Sequence, residues 1–352
     1  MGFFDKFIAF IMPLFGMESP TADIVFAGDA MMHEGQITAA RTAGGDYDFK
    51  GYFDSIQEYI ESADYAVVNF EASLGGKPYR GYPCFSAPDE YAEALTSAGF
   101  DFFLLANNHI LDRRDKGLHR TINLLDSLQI PHSGVWHNAA ARDSISPCIV
   151  DVKGFKVAML NYTYGTNGIE VQKDAVVDYI DFARISSDVK KSREKGAELV
   201  AVCIHWGDEY KLLPNATQKQ MADKLMTLDV DMIIGGHPHV IQPMEMRTND
   251  DGKPVLLVYS LGNFVSNMKT NDTRGGAMVR VQLARGDKNQ AYVASASYSL
   301  VFTEPPVDGQ NYRVVPAHKA THASASIFRK NAEAIFSKHN KGVPVDSIFM
   351  KR

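Results

Sequence analysis

Apolar runs that stop abruptly at polar or acidic residues recur along this chain. Residues 21–27 run into Gly28-Asp29, residues 65–68 into Asn69-Phe70-Glu71, and residues 100–106 into Asn107-Asn108-His109. Residues 198–204 run into His205-Trp206-Gly207, and residues 230–234 into Gly235-Gly236-His237-Pro238-His239. Each run has the length and composition of a buried strand. Between them, helical periodicity predicts helices over 50–62, with Phe53, Ile56, Tyr59 and Ile60 on one face, and over 88–98, 115–129, 182–195 and 215–228. Strands alternating with helices predict an α/β layered fold with right-handed crossovers. Lys153-Gly154 and Asn249-Asp250-Asp251-Gly252 predict hairpin turns, residues 255–264 one strand, and residues 277–285 and 291–302 a strand pair around Arg285-Gly286-Asp287. The organisation expected is a hydrophobic N-terminal segment (1–20), one α/β domain (21–303) and a closing appendage (304–352) with a basic amphipathic helix at 324–339.

Composition narrows the function classes. The 352 residues are 45% hydrophobic and 22% charged, which is globular rather than disordered. A net charge of -6 argues against an electrostatically driven nucleic-acid binder. It also means that a polyanionic ligand needs a local positive centre, such as a metal. Cys84, Cys148 and Cys203 lie far apart without CxxC spacing, excluding a disulfide scaffold and a thiolate zinc finger. The first seventeen residues are apolar but shorter than the roughly 20 needed to span a bilayer, and Pro13 interrupts them. They read as an interfacial anchor, a docking segment or a degenerate signal, with a terminal segment packed on its own domain as the alternative. Membrane association is therefore expected, with the side left open.

The polar ends of the strands carry the candidate chemistry. His237 and His239, held in a stiff loop by Pro238, suit one metal ion or two adjacent ones. Asp29 is either a ligand at a strand's carboxyl end or a helix cap. Glu71 is a second acid in the same position. Asn108 and His109 offer the oxygen and nitrogen that suit zinc, manganese or iron alongside carboxylates, although an asparagine turn would account for Asn107 or Asn108. His205 stands where its apolar run stops, which favours a ligand over a core histidine. Trp206 and Tyr210 are placed to wall a substrate, and the loop Tyr164-Gly165-Thr166-Asn167-Gly168 is either a lid or a surface insertion.

Taken in order, Gly28-Asp29, Asn69-Phe70-Glu71, Asn107-Asn108-His109 with Asp112, His205-Trp206-Gly207 with Glu209-Tyr210, Gly236-His237-Pro238-His239 with Gln242-Pro243, and Tyr259 to Phe264 resemble the CapA family of capsule and poly-γ-glutamate biosynthesis proteins. The resemblance runs from about residue 22 to 266. It implies a four-layer α/β/β/α sandwich like that of calcineurin-like metallophosphoesterases, with one or two divalent ions (Zn, Mn or Fe) at the strand ends. It further implies Asp29, Glu71, Asn108, His205, His237 and His239 as ligands, one carboxylate bridging, and His109 as a proton donor. Asn107, Trp206, Glu209, Tyr210 and Asn263 would then contact substrate. Two departures stand out. Asp29-Ala30-Met31 replaces Asp-x-His, with His33 as a possible substitute, and Glu71 stands where an aspartate is usual. The implied function is metal-dependent hydrolysis of a phosphoester or γ-glutamyl bond in capsule or poly-γ-glutamate biosynthesis and export. The alternative is a non-catalytic polymer-binding component of a membrane-associated assembly or export complex. The implied partners are an anionic polymer or its precursor, a synthesis complex and a membrane surface, with no nucleic acid.

Overall fold

The computed structural model describes residues 20–307 and 309–351, so the expected hydrophobic segment lies almost wholly outside the described residues. The chain opens with β1 (Ala22–Ala30), α1 (Glu34–Ala40), α2 (Asp54–Glu61), β2 (Tyr65–Asn69), α3 (Glu90–Ser97), β3 (Phe102–Leu104) and α4 (Arg114–Ser127). It continues through β4 (His132–Ser133), β5 (Val135–Trp136), α5 (Ala139–Ile145), β6 (Cys148–Val152), β7 (Phe155–Thr163), β8 (Val176–Val177), α6 (Phe182–Glu194), β9 (Leu199–His205) and α7 (Ala216–Met226). The remainder is β10 (Met232–Gly236), β11 (Met244–Thr248), β12 (Pro254–Val258), β13 (Asn263–Val265), β14 (Gly275–Arg285), β15 (Ala291–Glu304), β16 (Arg313–Pro316), α8 (Ala323–His339) and α9 (Ser347–Lys351).

Two sheets are stacked. The first runs β16-β15-β14-β1-β2-β3-β4, with β13 also pairing with β1, and the second runs β11-β12-β10-β9-β7-β6. Strand periodicity sorts the core into three shells. Ile24 and Phe26 face inward and meet Met159, Cys203 and Ile234 of the second sheet. Val25 and Ala27 face outward and pack on Ile56 and Tyr59 of α2, Leu95 of α3 and Leu118 of α4. On the far side, Leu160, Val202 and Ile233 pack on Ile185 of α6 and Leu225 of α7. These shells are the four-layer α/β/β/α sandwich that the resemblance implied.

Two local features differ from the expectation. Residues 255–264 are two strands rather than one: β12 lies in the second sheet, whereas β13 pairs in parallel with β1, Asn263 opposite Asp29. The chain crosses at Gly262, whose φ of +67° is disfavoured for any residue with a Cβ. Residues 34–40, for which the sequence pattern predicts no helix, form α1, because Gln36 and His33 close a reciprocal capping box at its start. The stretch expected as an appendage supplies β16 at the edge of the first sheet and α8, whose Ala332 and Phe336 join the inter-sheet core.

Candidate metal centre

Parallel strands of both sheets end at a common point. Asp29 closes β1, Glu71 lies two residues beyond β2, His205 ends β9, and His237 follows β10 directly. The two glycines ahead of His237 are required by crowding. A Cβ on Gly235 would lie 2.1 Å from the Tyr259 carbonyl oxygen, and one on Gly236 would lie 2.7 Å from Asp29 Oδ1. His237 and His239 adopt φ of +97° and +57°, backbone strain that costs on the order of 1–3 kcal/mol per residue and clusters at functional sites.

Three sets of side chains converge here: Asp29, Glu71 and His239; Glu71, His205 and His237; and Glu209, His237 and His239. Within each set the ligand atoms lie within 4.8 Å of one another. Glu71, His237 and His239 each belong to two sets, and of the three only the Glu71 carboxylate offers two oxygens with which to bridge. Its Oε1 is 3.5 Å from His205 Nε2 and 3.8 Å from His239 Nε2, too far for hydrogen bonds. Both Glu71 carboxylate oxygens and His237 Nδ1 are buried without a hydrogen-bond partner. Buried acceptors of this kind are costly unless something satisfies them. A mixed set of imidazole nitrogens and carboxylate oxygens around them fits a divalent transition cation.

The electrostatics record the same tension. Burial, reinforced by the neighbouring Asp29 charge, pushes the Glu71 carboxyl up to about 8. Burial pulls His205 down to about 3 and, aided by the adjacent imidazoles, His237 down to about 2, so both are neutral, the form that ligates. Burial opposes charge on His239 as well, but Glu71 and Asp29 prevail and raise it to about 9. Asp29 is held below the usual carboxylate range. Burial would raise it, but the hydrogen bond with His239, the charges of His205 and His239 and the Asn69 amide outweigh that effect.

The other expected site residues divide. Asn108 is at the centre, its Oδ1 3.0 Å from His205 Nε2. His109 is buried beside it, with Nδ1 2.8 Å from Asp112 Oδ2 and its ring edge-on to Phe85. Tyr210, 55% exposed, stands at the mouth with its ring 6.2 Å from His239. Glu209, expected on the substrate side, also belongs to the third ligand set.

Four placements are corrected. Asn107 does not face substrate, because its amide donates to the Phe70 carbonyl oxygen (2.9 Å) and accepts the His109 N–H (3.1 Å). Trp206 is core, with Nε1–H donated to the Tyr259 carbonyl oxygen at 2.8 Å and its indole among Ile204 and Tyr259. Asn263 contacts His239 Nδ1 through Oδ1 at 3.0 Å while its amide N–H groups go to Ser266 and Thr273, so it orients the His239 ring. His33 does not substitute for the missing nitrogen. It caps α1, with Nδ1 accepting the Asn267 N–H, and joins none of the converging sets.

Asn69, which was not assigned a role from the sequence, and Tyr164 and Asn167 of the loop read as a lid or a surface insertion complete the surroundings. Asn69 donates to Asp29 Oδ1 at 2.7 Å, fixing that carboxylate. Tyr164, 47% exposed, covers His237 with ring centroids 4.5 Å apart, and Asn167 accepts the Asn108 amide N–H at 3.3 Å. Asn69 was legible as a polar residue closing an apolar strand, whereas no local pattern tells a site loop from a surface insertion at Tyr164 and Asn167.

Fold and centre together define an α/β/β/α sandwich protein with imidazole and carboxylate groups gathered at its strand ends. The chain belongs to the family described as bacterial capsule synthesis protein PGA_cap, whose model matches residues 23–268. It is 28% identical over 284 residues to the capsule biosynthesis protein CapA of Bacillus anthracis, covering 78% of this chain and 66% of that protein. It is 26% identical over 315 residues to the PGA biosynthesis protein CapA of Bacillus subtilis (strain 168), covering 87% of this chain and 76% of that one. Among solved structures it is similar to the NAD nucleotidase NadN of Haemophilus influenzae, at a TM-score of 0.49 and 13% identity over 94% of this chain and 57% of that chain.

Proposed function

We propose that the centre holds one or two divalent cations of the zinc, manganese or iron class and that the protein hydrolyses a phosphoester or γ-glutamyl bond in an anionic capsule-type polymer or its precursor. The observation that carries this reading is the buried, unpartnered carboxylate of Glu71 between His205 and His239. Asp29, Glu71 and His239 would hold one position, and Glu71, Asn108, His205 and His237 the other. A bound divalent cation lowers the pKa of water from 15.7 toward about 7 and polarises the scissile group.

The chain's own groups supply the rest. Asp112 accepts the His109 Nδ1–H, which orients the ring so that Nε2, in the form that carries a proton on both nitrogens, gives its proton to the leaving group and then holds a lone pair. Asn69 and Asn263 hold Asp29 and His239 in register. Tyr164 covers the His237 side against water. Membership of the capsule synthesis family supports the choice of an anionic polymer and a place in a polymer-synthesis complex, and to these we add work at a membrane surface. Attachment there is proposed on residues 1–17 alone, since no helix among the described residues is long and apolar enough to cross a membrane.

One observation favours the second reading, a metal-ordered, non-catalytic polymer binder. Met31, fully buried, occupies the sequence position at which the Asp-x-His pattern carries a further nitrogen ligand. Metal analysis combined with turnover on an aryl phosphate and on a γ-glutamyl anilide separates the two. Hydrolysis of either, lost with the metal in His205→Ala and His237→Ala, supports catalysis; bound metal with no turnover supports the binder.

A further inference from the structure

A second cleft, of about 580 Å³, is lined by Arg114, Lys116, His119, Arg120 and Lys173 together with Asp115. Two of these charges are already committed. Arg120 is bidentate to Asp89, and the Asp115 carboxylate accepts the backbone N–H groups of Gln172 and Lys173. Arg114, Lys116 and Lys173 are exposed and form no ion pair among the described residues. Glu170 and Asp174, close in sequence to Lys173, are not among the lining residues. In a chain of net charge -6, a cleft whose uncommitted charges are all positive is a local exception.

Both walls of this cleft are continuous along the chain with segments that contact the centre. Arg114 follows His109 by five residues and opens α4 with a φ of +58°, a left-handed conformation uncommon for a long side chain. The other wall is the segment that begins at Tyr164 over His237, contacts Asn108 through Asn167, and reaches Lys173, whose N–H is pinned to Asp115. A chain lying on Arg114, Lys116 and Lys173 is therefore bounded by the two segments that bound the centre.

We infer that this cleft is a subsite for a polycarboxylate chain, in which Arg114, Lys116 and Lys173 hold successive acidic side groups while one end of the chain reaches the centre. The inference rests on the reading of the centre as acting on an anionic polymer, and it adds where that polymer lies. Flexible, exposed cations suit this task because a chain of repeating carboxylates offers many equivalent registers and needs charge more than fixed geometry.

The test measures binding of a fluorescent γ-linked glutamate oligomer to the full-length protein by anisotropy over a salt series, with neutral dextran as a control. Wild type is expected to bind with an affinity that falls as salt rises, and the triple variant R114Q/K116Q/K173Q to bind about tenfold or more weakly with a shallower salt dependence. Metal content, melting temperature and turnover of a small aryl phosphate should match wild type in that variant. His237→Ala, stripped of metal, should still bind the oligomer in a salt-sensitive way, so a failed metal centre and a failed subsite give different results. Equal binding by the triple variant and wild type, no binding by wild type at low salt, equal retention of dextran, or loss of binding in His237→Ala alone would each overturn the inference.

Discussion

Asn263 Oδ1 lies 3.0 Å from His239 Nδ1, while the same imidazole turns Nε2 toward Glu71 Oε1 at 3.8 Å. Nδ1 also lies 3.4 Å from Asp29 Oδ2, so Asn263 and Asp29 together hold the ring with Nε2 toward Glu71, an outer contact of the kind that raises ligand basicity and sets ring orientation. Asn263→Ala is expected to keep the fold and lose about 10- to 100-fold in divalent-metal affinity by calorimetric titration. Unchanged affinity would assign Asn263 back to substrate or to packing.

His109 and the ligands should separate cleanly. With Nδ1 held by Asp112 and no place in the three converging sets, His109 has, under the proposed function, the proton-transfer role and none in holding metal. His109→Ala is expected to retain metal and lower kcat by about 10²- to 10⁴-fold on whichever panel substrate turns over. Loss of metal with the activity would make His109 a ligand instead.

The pH dependence of the metal-free protein follows from opposed shifts. Glu71, raised from 4.5 to about 8, and His239, raised from 6.5 to about 9, are both more readily protonated folded than unfolded. The stability they contribute is present below their unfolded values and is lost as pH rises through the folded ones. His205 and His237, lowered from 6.5 to about 3 and about 2, contribute stability that is present above 6.5 and lost as pH falls. Between pH 6.5 and about 9 the first pair dominates, so thermal melts in chelator should show Tm falling across that window. Glu71→Gln should flatten the part below about pH 8, and saturating cation should remove the fall. A level wild-type Tm across the window would contradict the arrangement.

Trp206 and Asn107 belong to stability rather than to substrate. Trp206→Ala removes a fully buried indole and is expected to cost roughly 3–5 kcal/mol in urea unfolding. Asn107→Ala leaves the Phe70 carbonyl and the His109 N–H unpaired, a cost of about 1–3 kcal/mol. Trp206→Phe, which keeps an aromatic core residue, should leave KM unaltered; a raised KM would restore Trp206 to the substrate wall.

Strand ends were legible because burial on both faces makes a continuous apolar run, and the first polar residue after it marks the edge where parallel strands open to a ligand. Asp29, Glu71, Asn108, His205, His237 and His239 all stand at such edges and converge. The second tier was not legible. Asn107 and Asn263 also sit at strand ends, but whether an amide turns to backbone, to a histidine or to solvent depends on partners from distant segments, such as Phe70 for Asn107 and Thr273 for Asn263. The split of residues 255–264 into β12 and β13 escaped detection because an apolar run does not say which sheet it joins, and Gly262 alone marks the crossing. His33 looked available by spacing, but its place at the start of α1 engages it with Gln36 and Asn267 instead.

The central claim is that Glu71 sits between two sets of donors because cations bind there. The most direct measurement is the divalent-metal content of purified wild type and of Glu71→Gln by plasma mass spectrometry after equilibration with zinc or manganese. The prediction is one to two ions per wild-type chain and a loss of most of that metal in Glu71→Gln with the fold intact. Wild type that binds no divalent ion, or a Glu71→Gln variant that binds as much as wild type, would contradict it.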